Sequence, residues 1–218
     1  MHNNGIAHTN LTCDHIIYNP SSKEIKLIGL GSSVKFEPDD ERKSISQDDL
    51  QERDFHYISP EMGSTVKQYF DFRTDLYSLG VIFYKMLTGE YPMHSEDRMQ
   101  LILLHLTQEA LPLQYFDPTI PKVICQMISK LLSKKLDDRY QTAKGLVYDL
   151  DLIMSEYDSD KTLKDIVLGG NDIPSRLCLS NKLYDRDDDF NTLCSALKRV
   201  SSDCMEIVFV TGCSGTGA

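Results

Sequence analysis

Ile6-Ala7-His8-Thr9-Asn10-Leu11-Thr12-Cys13-Asp14-His15-Ile16-Ile17-Tyr18-Asn19 runs from a polar, hydrogen-bonding stretch straight into an apolar one. Two of its positions limit its chemistry. The carboxamide of Asn10 has the shape of a carboxylate, but it is neutral and has no useful basicity near pH 7. The imidazole of His15 is a poor ligand for a hard cation such as magnesium, which prefers oxygen. Further on, Ile16-Ile17-Tyr18 and Ile25-Lys26-Leu27-Ile28 flank Asn19-Pro20-Ser21-Ser22-Lys23. Two apolar runs around a turn composition predict a small hairpin.

The spacing of the opening stretch resembles the catalytic loop of protein kinases, H-R-D-L-x-x-x-x-N. In that family the Asp accepts the proton of the substrate hydroxyl and the final Asn holds a magnesium ion. Those two places are Asn10 and His15 here. Further family landmarks follow in order. Lys26-Leu27-Ile28-Gly29-Leu30-Gly31 resembles the V-K-L-x-D-F-G segment, with Gly29 where the second magnesium-binding residue stands, and Ser59-Pro60-Glu61 resembles A-P-E. Arg73-Thr74-Asp75-Leu76-Tyr77-Ser78-Leu79-Gly80-Val81 resembles the buried helix of the large lobe, and Asp137-Asp138-Arg139-Tyr140 supplies the Arg that pairs with the A-P-E glutamate. A motif gains force from its context, and five ordered matches supply that context. The resemblance implies a mainly α fold, the large (C-terminal) lobe of a protein kinase, over residues 1–155. It leaves no room ahead of Ile6 for the small lobe, so the chain is expected to be a fragment or a late-starting product.

Composition is that of a globular chain, with 41% hydrophobic and 26% charged residues among 218. Asp and Glu number 33 against 23 Lys and Arg, a net charge of -10 that disfavours a nucleic-acid partner. No apolar run approaches a membrane span and no signal pattern opens the chain, so a cytoplasmic location is expected. The six cysteines include no C-x-x-C pair, which predicts buried reduced thiols and no metal site.

Residues 32–58 are polar and charged, predicting a mobile surface segment at the activation-loop position of the resembled family. There a Thr three residues before the Tyr of G-T-x-x-Y helps to build the substrate site, and that place is Asp54. Leu76, Tyr77, Leu79, Val81, Ile82, Phe83, Met86 and Leu87 leave almost no polar face, which predicts a helix buried on all sides and closed at Thr88-Gly89. Asp75 at its start suits a helix N-cap. The resemblance implies instead a buried acceptor for the N–H groups of the catalytic loop. Apolar residues recurring at three and four positions predict two amphipathic helices, around Val123–Leu132 and Ala143–Ile153, on either side of Arg139.

After residue 155 the composition reads as a linker through 182. A helical pattern from Leu183 to Leu197 and the apolar run Ile207-Val208-Phe209-Val210 then precede Gly212, Gly215 and Gly217. Strand followed by G-x-x-x-x-G resembles the start of a P-loop NTPase over residues 183–218, with Ala218 where the phosphate-binding Lys stands. This order of parts resembles the amino-terminal region of hybrid histidine kinases, notably those of fungi. It implies two-component signalling, with protein partners or other domains of a parent chain.

The functional expectation is a catalytically degenerate, pseudokinase module with no catalytic residue, no metal and an incomplete cofactor site. ATP and magnesium belong only to the intact family. Two other readings are a Ser/Thr kinase completed in a full-length chain and a truncated product without function.

Overall fold

The computed structural model describes residues 1–37, 40, 42–44, 53–63, 69–160, 166–173, 187–200, 207–209 and 211. They fall into two compact units, Met1–Cys178 and Leu179–Ala218.

The first unit is built on helices. α1 is the short Pro60–Gly63 turn, α2 runs Arg73–Thr88, α3 Arg98–Thr107, α4 Lys122–Leu131 and α5 Ala143–Asp160. Among the described residues three two-stranded antiparallel ladders accompany them: β1 (Ile6–Ala7) with β4 (Val34–Lys35), β2 (Ile16–Asn19) with β3 (Glu24–Leu27), and β5 (Lys43–Ser44) with β6 (Tyr69–Phe70). The second ladder is the expected hairpin, with Asn19 opposite Glu24. Its apolar side chains face out: Ile17, Tyr18, Ile25 and Leu27 are all exposed.

α2 is the axis of the core. Leu76, Tyr77, Val81, Ile82 and Tyr84 are buried with Val123, Met127, Ile128, Leu131 and Leu132 from the α4 region. The two helices meet closely because position 80 has no side chain; a Cβ there would stand 2.8 Å from the Leu131 Cβ. Gly89 closes α2 at φ 80°, its N–H reaching the Lys85 carbonyl at 2.8 Å, the left-handed cap that glycine adopts without strain. The expected all-round burial holds for the first three turns only. Met86 and Leu87, in the last turn, are exposed.

His105 of α3 is fully buried and shares a 2.9 Å hydrogen bond with the Tyr77 hydroxyl through Nδ1. Burial, reinforced by nearby Lys134 and His56, pushes its pKa down to about 3. The unfolded imidazole takes up a proton below about pH 6.5, so the unfolded state binds more protons between the two values. This contribution to stability is complete above about pH 6.5 and is lost progressively as pH falls towards 3. Melting followed from pH 7 to pH 4 is expected to show a shallower acid loss for His105→Gln than for the unaltered chain.

The segment read as linker starts later than residue 156 and is partly structural. α5 continues to Asp160, and Ile166 and Leu168 pack against the core. Asp172 accepts from the Gln141 and Thr142 N–H groups at 2.5 and 2.8 Å and from the Thr142 hydroxyl at 2.9 Å. Asp149, buried, accepts from the Tyr140 hydroxyl at 2.6 Å and the Gly169 N–H at 2.7 Å. Two carboxylates therefore clasp residues 166–172 to the head of α5. Asp172→Ala leaves backbone donors without acceptors and is expected to lower stability by about 1–3 kcal/mol, read by denaturant titration.

In the second unit α6 spans Asp187–Val200, within the expected helical pattern, whose first residues, 183–186, lie outside the described residues; Phe190, Leu193 and Leu197 are exposed. Ile207–Phe209, expected in a strand, form no ladder among the described residues and are exposed. Gly212, Gly215 and Gly217 lie outside the described residues. The thiols of Cys13, Cys125 and Cys194 are free and half-buried, not fully buried as expected. Among the described residues no helix is long and apolar enough to cross a membrane.

Candidate functional site

The loop after β1 is held by one carboxylate. Asp75, in the first turn of α2 and buried, accepts from the His8 N–H through Oδ2 at 2.8 Å and from the Thr9 N–H through Oδ1 at 2.7 Å. His2 Nε2 adds a third contact at 2.8 Å. The N-cap position belongs to Phe72, so Asp75 is the buried anchor and not the cap. What it holds is strained: Thr9, β-branched, sits at φ 61° in the left-handed region. Such a conformation costs about 1–3 kcal/mol and persists only where its surroundings over-determine it. Thr9 Oγ1 also donates to the Ser32 carbonyl at 2.6 Å, and the buried guanidinium of Arg53 donates to the Thr9 carbonyl.

A second lock ties α1 to the loop after α4. Arg139 and Glu61 form a bidentate pair at 2.8 and 2.7 Å, both buried. The other Arg139 donors reach the carbonyls of Ser133 at 2.6 Å and of Arg73 and Lys134 at 3.3 Å, so all five are used. Thr74 donates to Glu61 Oε1 at 2.7 Å. Burial by itself would raise the Glu61 pKa, yet the Arg139 charge and these hydrogen bonds hold it below the usual carboxylate range.

The sequence singled out Asn10 and Asp54 separately; the fold brings them together. With Thr9, Leu11, Arg53 and Ser78 they line a cavity of about 10 Å³, room for roughly one water molecule. Asp54 Oδ1 accepts from the His56 N–H at 3.0 Å and contacts His56 Nδ1 at 2.8 Å. The activation segment, expected to be mobile, is pinned at its described parts. β4 pairs with β1, β5 pairs with β6, and Phe36 is buried with Ala7, Ile58, Met62 and Phe70. The sequence reading missed Arg53, because a lone Arg in a charged stretch ordinarily reads as a solvated side chain.

His15 and Gly29 form the other pair. The His15 ring lies against Gly29 so closely that a Cβ there would be 2.5 Å from Cδ2 and 2.6 Å from Nε2. Gly29 itself has φ 75°. Nδ1 of His15 donates to the Asn10 carbonyl at 2.7 Å, and neighbouring His8 contacts the Ile28 carbonyl through Nε2 at 2.8 Å. Magnesium needs several oxygen ligands in octahedral array. Position 29 offers no side chain, position 15 offers a ring, and no group of three or more His, Cys, Asp or Glu converges among the described residues. The residues at these two positions do not fit the ion.

Comparison with known proteins matches residues 1–149 to the family described as "Protein kinase domain". Over 183 residues the chain is 33% identical to hybrid signal transduction histidine kinase G of Dictyostelium discoideum, covering 75% of this chain and 5% of that protein. It is 27% identical over 203 residues to the peroxide stress-activated histidine kinase mak3 of Schizosaccharomyces pombe, covering 91% of this chain and 9% of that one. To serine/threonine-protein kinase PrkC of Bacillus subtilis it is 30% identical over 109 residues, 49% of this chain and 16% of the relative. The chain thus spans less than a fifth of the length of each of these relatives. The expectation that it is no enzyme is overturned by the match to the kinase domain and by the similarity to serine/threonine-protein kinases. Substitutions at Asn10, His15 and Gly29 change the means available to the site, and by themselves do not demonstrate inactivity. With its loop anchor, its Glu61–Arg139 lock and a match across residues 1–149, the chain belongs to the protein kinase domain family.

Proposed function

We propose that this chain is part of a Ser/Thr-type protein-kinase domain within a longer signalling protein of the hybrid histidine kinase kind. In this reading it moves the terminal phosphoryl group of a nucleoside triphosphate to a protein hydroxyl, and its partners are proteins or other domains of the same chain. The observation that carries the reading is the Asp75 carboxylate holding the strained His8–Thr9 backbone at 2.8 and 2.7 Å. A loop held against strain serves a geometry worth keeping, and phosphoryl transfer depends chiefly on positioning and electrostatics. Asn10 contributes position: its carboxamide NH₂ can donate to the oxygen of a substrate hydroxyl and aim it, leaving the hydroxyl proton for a base. The order of motifs from Ile207 to Ala218 supports reading the tail as the opening of a P-loop module.

The test is transfer of radiolabelled phosphate from ATP to a hydroxyl-bearing protein by the purified full-length parent. Incorporation that collapses in Asp75→Ala is the expected result. A parent protein that transfers no label overturns the proposal.

A further inference from the structure

We propose that Asp54 is the proton acceptor of this site, supplying from the activation segment the carboxylate that position 10 lacks. The assignment rests on the phosphoryl-transfer reading above. Asn10 and Asp54 line the same cavity, so a hydroxyl oriented by the carboxamide lies within the space that the carboxylate also faces. Asp54 Oδ1 is engaged by His56, while Oδ2 makes no hydrogen bond among the described residues. The side chain is 40% exposed, open enough to meet a substrate and to hand a proton on to water. The charged or titratable groups around it are Arg53 and Tyr57 in the cavity wall, His56 on Oδ1 and Lys85, whose ammonium is tied to the Tyr91 hydroxyl at 2.6 Å. A carboxylate can take up a proton, where a carboxamide cannot take one at all.

In the step itself the substrate oxygen bonds to the terminal phosphorus while the bond from that phosphorus to the nucleoside diphosphate breaks. The diphosphate leaves with the bonding electrons, and the hydroxyl proton passes to Asp54 Oδ2 and from there to water.

Asp54 also has a structural task, capping the short turn Phe55–Tyr57 by accepting the His56 N–H. Asparagine keeps an oxygen for that bond and loses only the basicity, so Asp54→Asn separates the two roles. In the full-length parent, with ATP and a hydroxyl-bearing protein substrate, Asp54→Asn is expected to lower kcat by roughly 10²–10⁴-fold with little change in KM or melting temperature. Adding Asn10→Asp to Asp54→Asn returns the carboxylate to the same cavity and is expected to recover at least part of the rate. Full activity in Asp54→Asn, or no recovery in the double variant, overturns the assignment while leaving the transfer reading intact. An inert unaltered parent overturns both.

Discussion

Arg139→Ala is expected to melt the first unit far below the unaltered chain. Removing one partner of a buried ion pair strands the other, at a cost of about 3–5 kcal/mol. Glu61 would keep the Thr74 hydroxyl at 2.7 Å but would lose both guanidinium contacts while remaining buried. The carbonyls of Ser133, Arg73 and Lys134 would lose a donor at the same time. For a domain of this size each kcal/mol moves the midpoint by about 2–4 °C, so a fall of roughly 6–20 °C is the expected reading. Lys35→Ala is the control. Its pair with Glu37 at 3.2 Å lies open to solvent and contributes under about 1 kcal/mol. Equal midpoints for the two variants would show that the Glu61–Arg139 lock does not hold this unit together. Arg139→Lys should fall between them, because an ammonium cannot reproduce the planar two-point contact.

Asp75→Ala is the second large effect, and it acts on the loop more than on the core. Two buried backbone N–H groups, those of His8 and Thr9, lose their acceptor. At about 1–3 kcal/mol for each orphaned donor the loss is roughly 2–6 kcal/mol. The strained Thr9 then has less to hold it at φ 61° and is expected to relax towards an ordinary conformation. Amide exchange at positions 8 and 9 reads this directly: protection should collapse there before it falls in α2. Asp75→Asn retains one acceptor oxygen and turns its NH₂ towards the other donor, so it should still lose protection at one of the two amides. Unchanged exchange at both positions in Asp75→Ala would remove Asp75 from its role as the loop's anchor.

Most of the architecture could be read along the chain because it is written in local periodicity and punctuation. The helix from Arg73 to Thr88 ends where Thr88-Gly89 says it should, since a left-handed cap favours glycine. The turn between the two runs of the hairpin sets its register in the same local way. The Glu61–Arg139 pair was also foreseeable, though through family resemblance and not through spacing, as the partners lie 78 positions apart. Burial was less legible. Apolar residues at Ile17, Tyr18, Met86 and Leu87 carry no mark that they would face outward.

The site divides along the same line. Sequence alone determined which chemical groups are present: a neutral amide at 10, an imidazole at 15, no side chain at 29, a carboxylate at 54 and another at 75. These identities bound the chemistry, because no folding gives a carboxamide the basicity of a carboxylate. Only the tertiary structure decided which of them meet. It placed Asn10 beside Asp54 and His15 against Gly29, brought the guanidinium of Arg53 to the Thr9 carbonyl, and returned Asp172 to the head of α5. Each of these contacts joins groups too far apart along the chain for local pattern to report, because a contact between distant segments is made by packing and not by local periodicity.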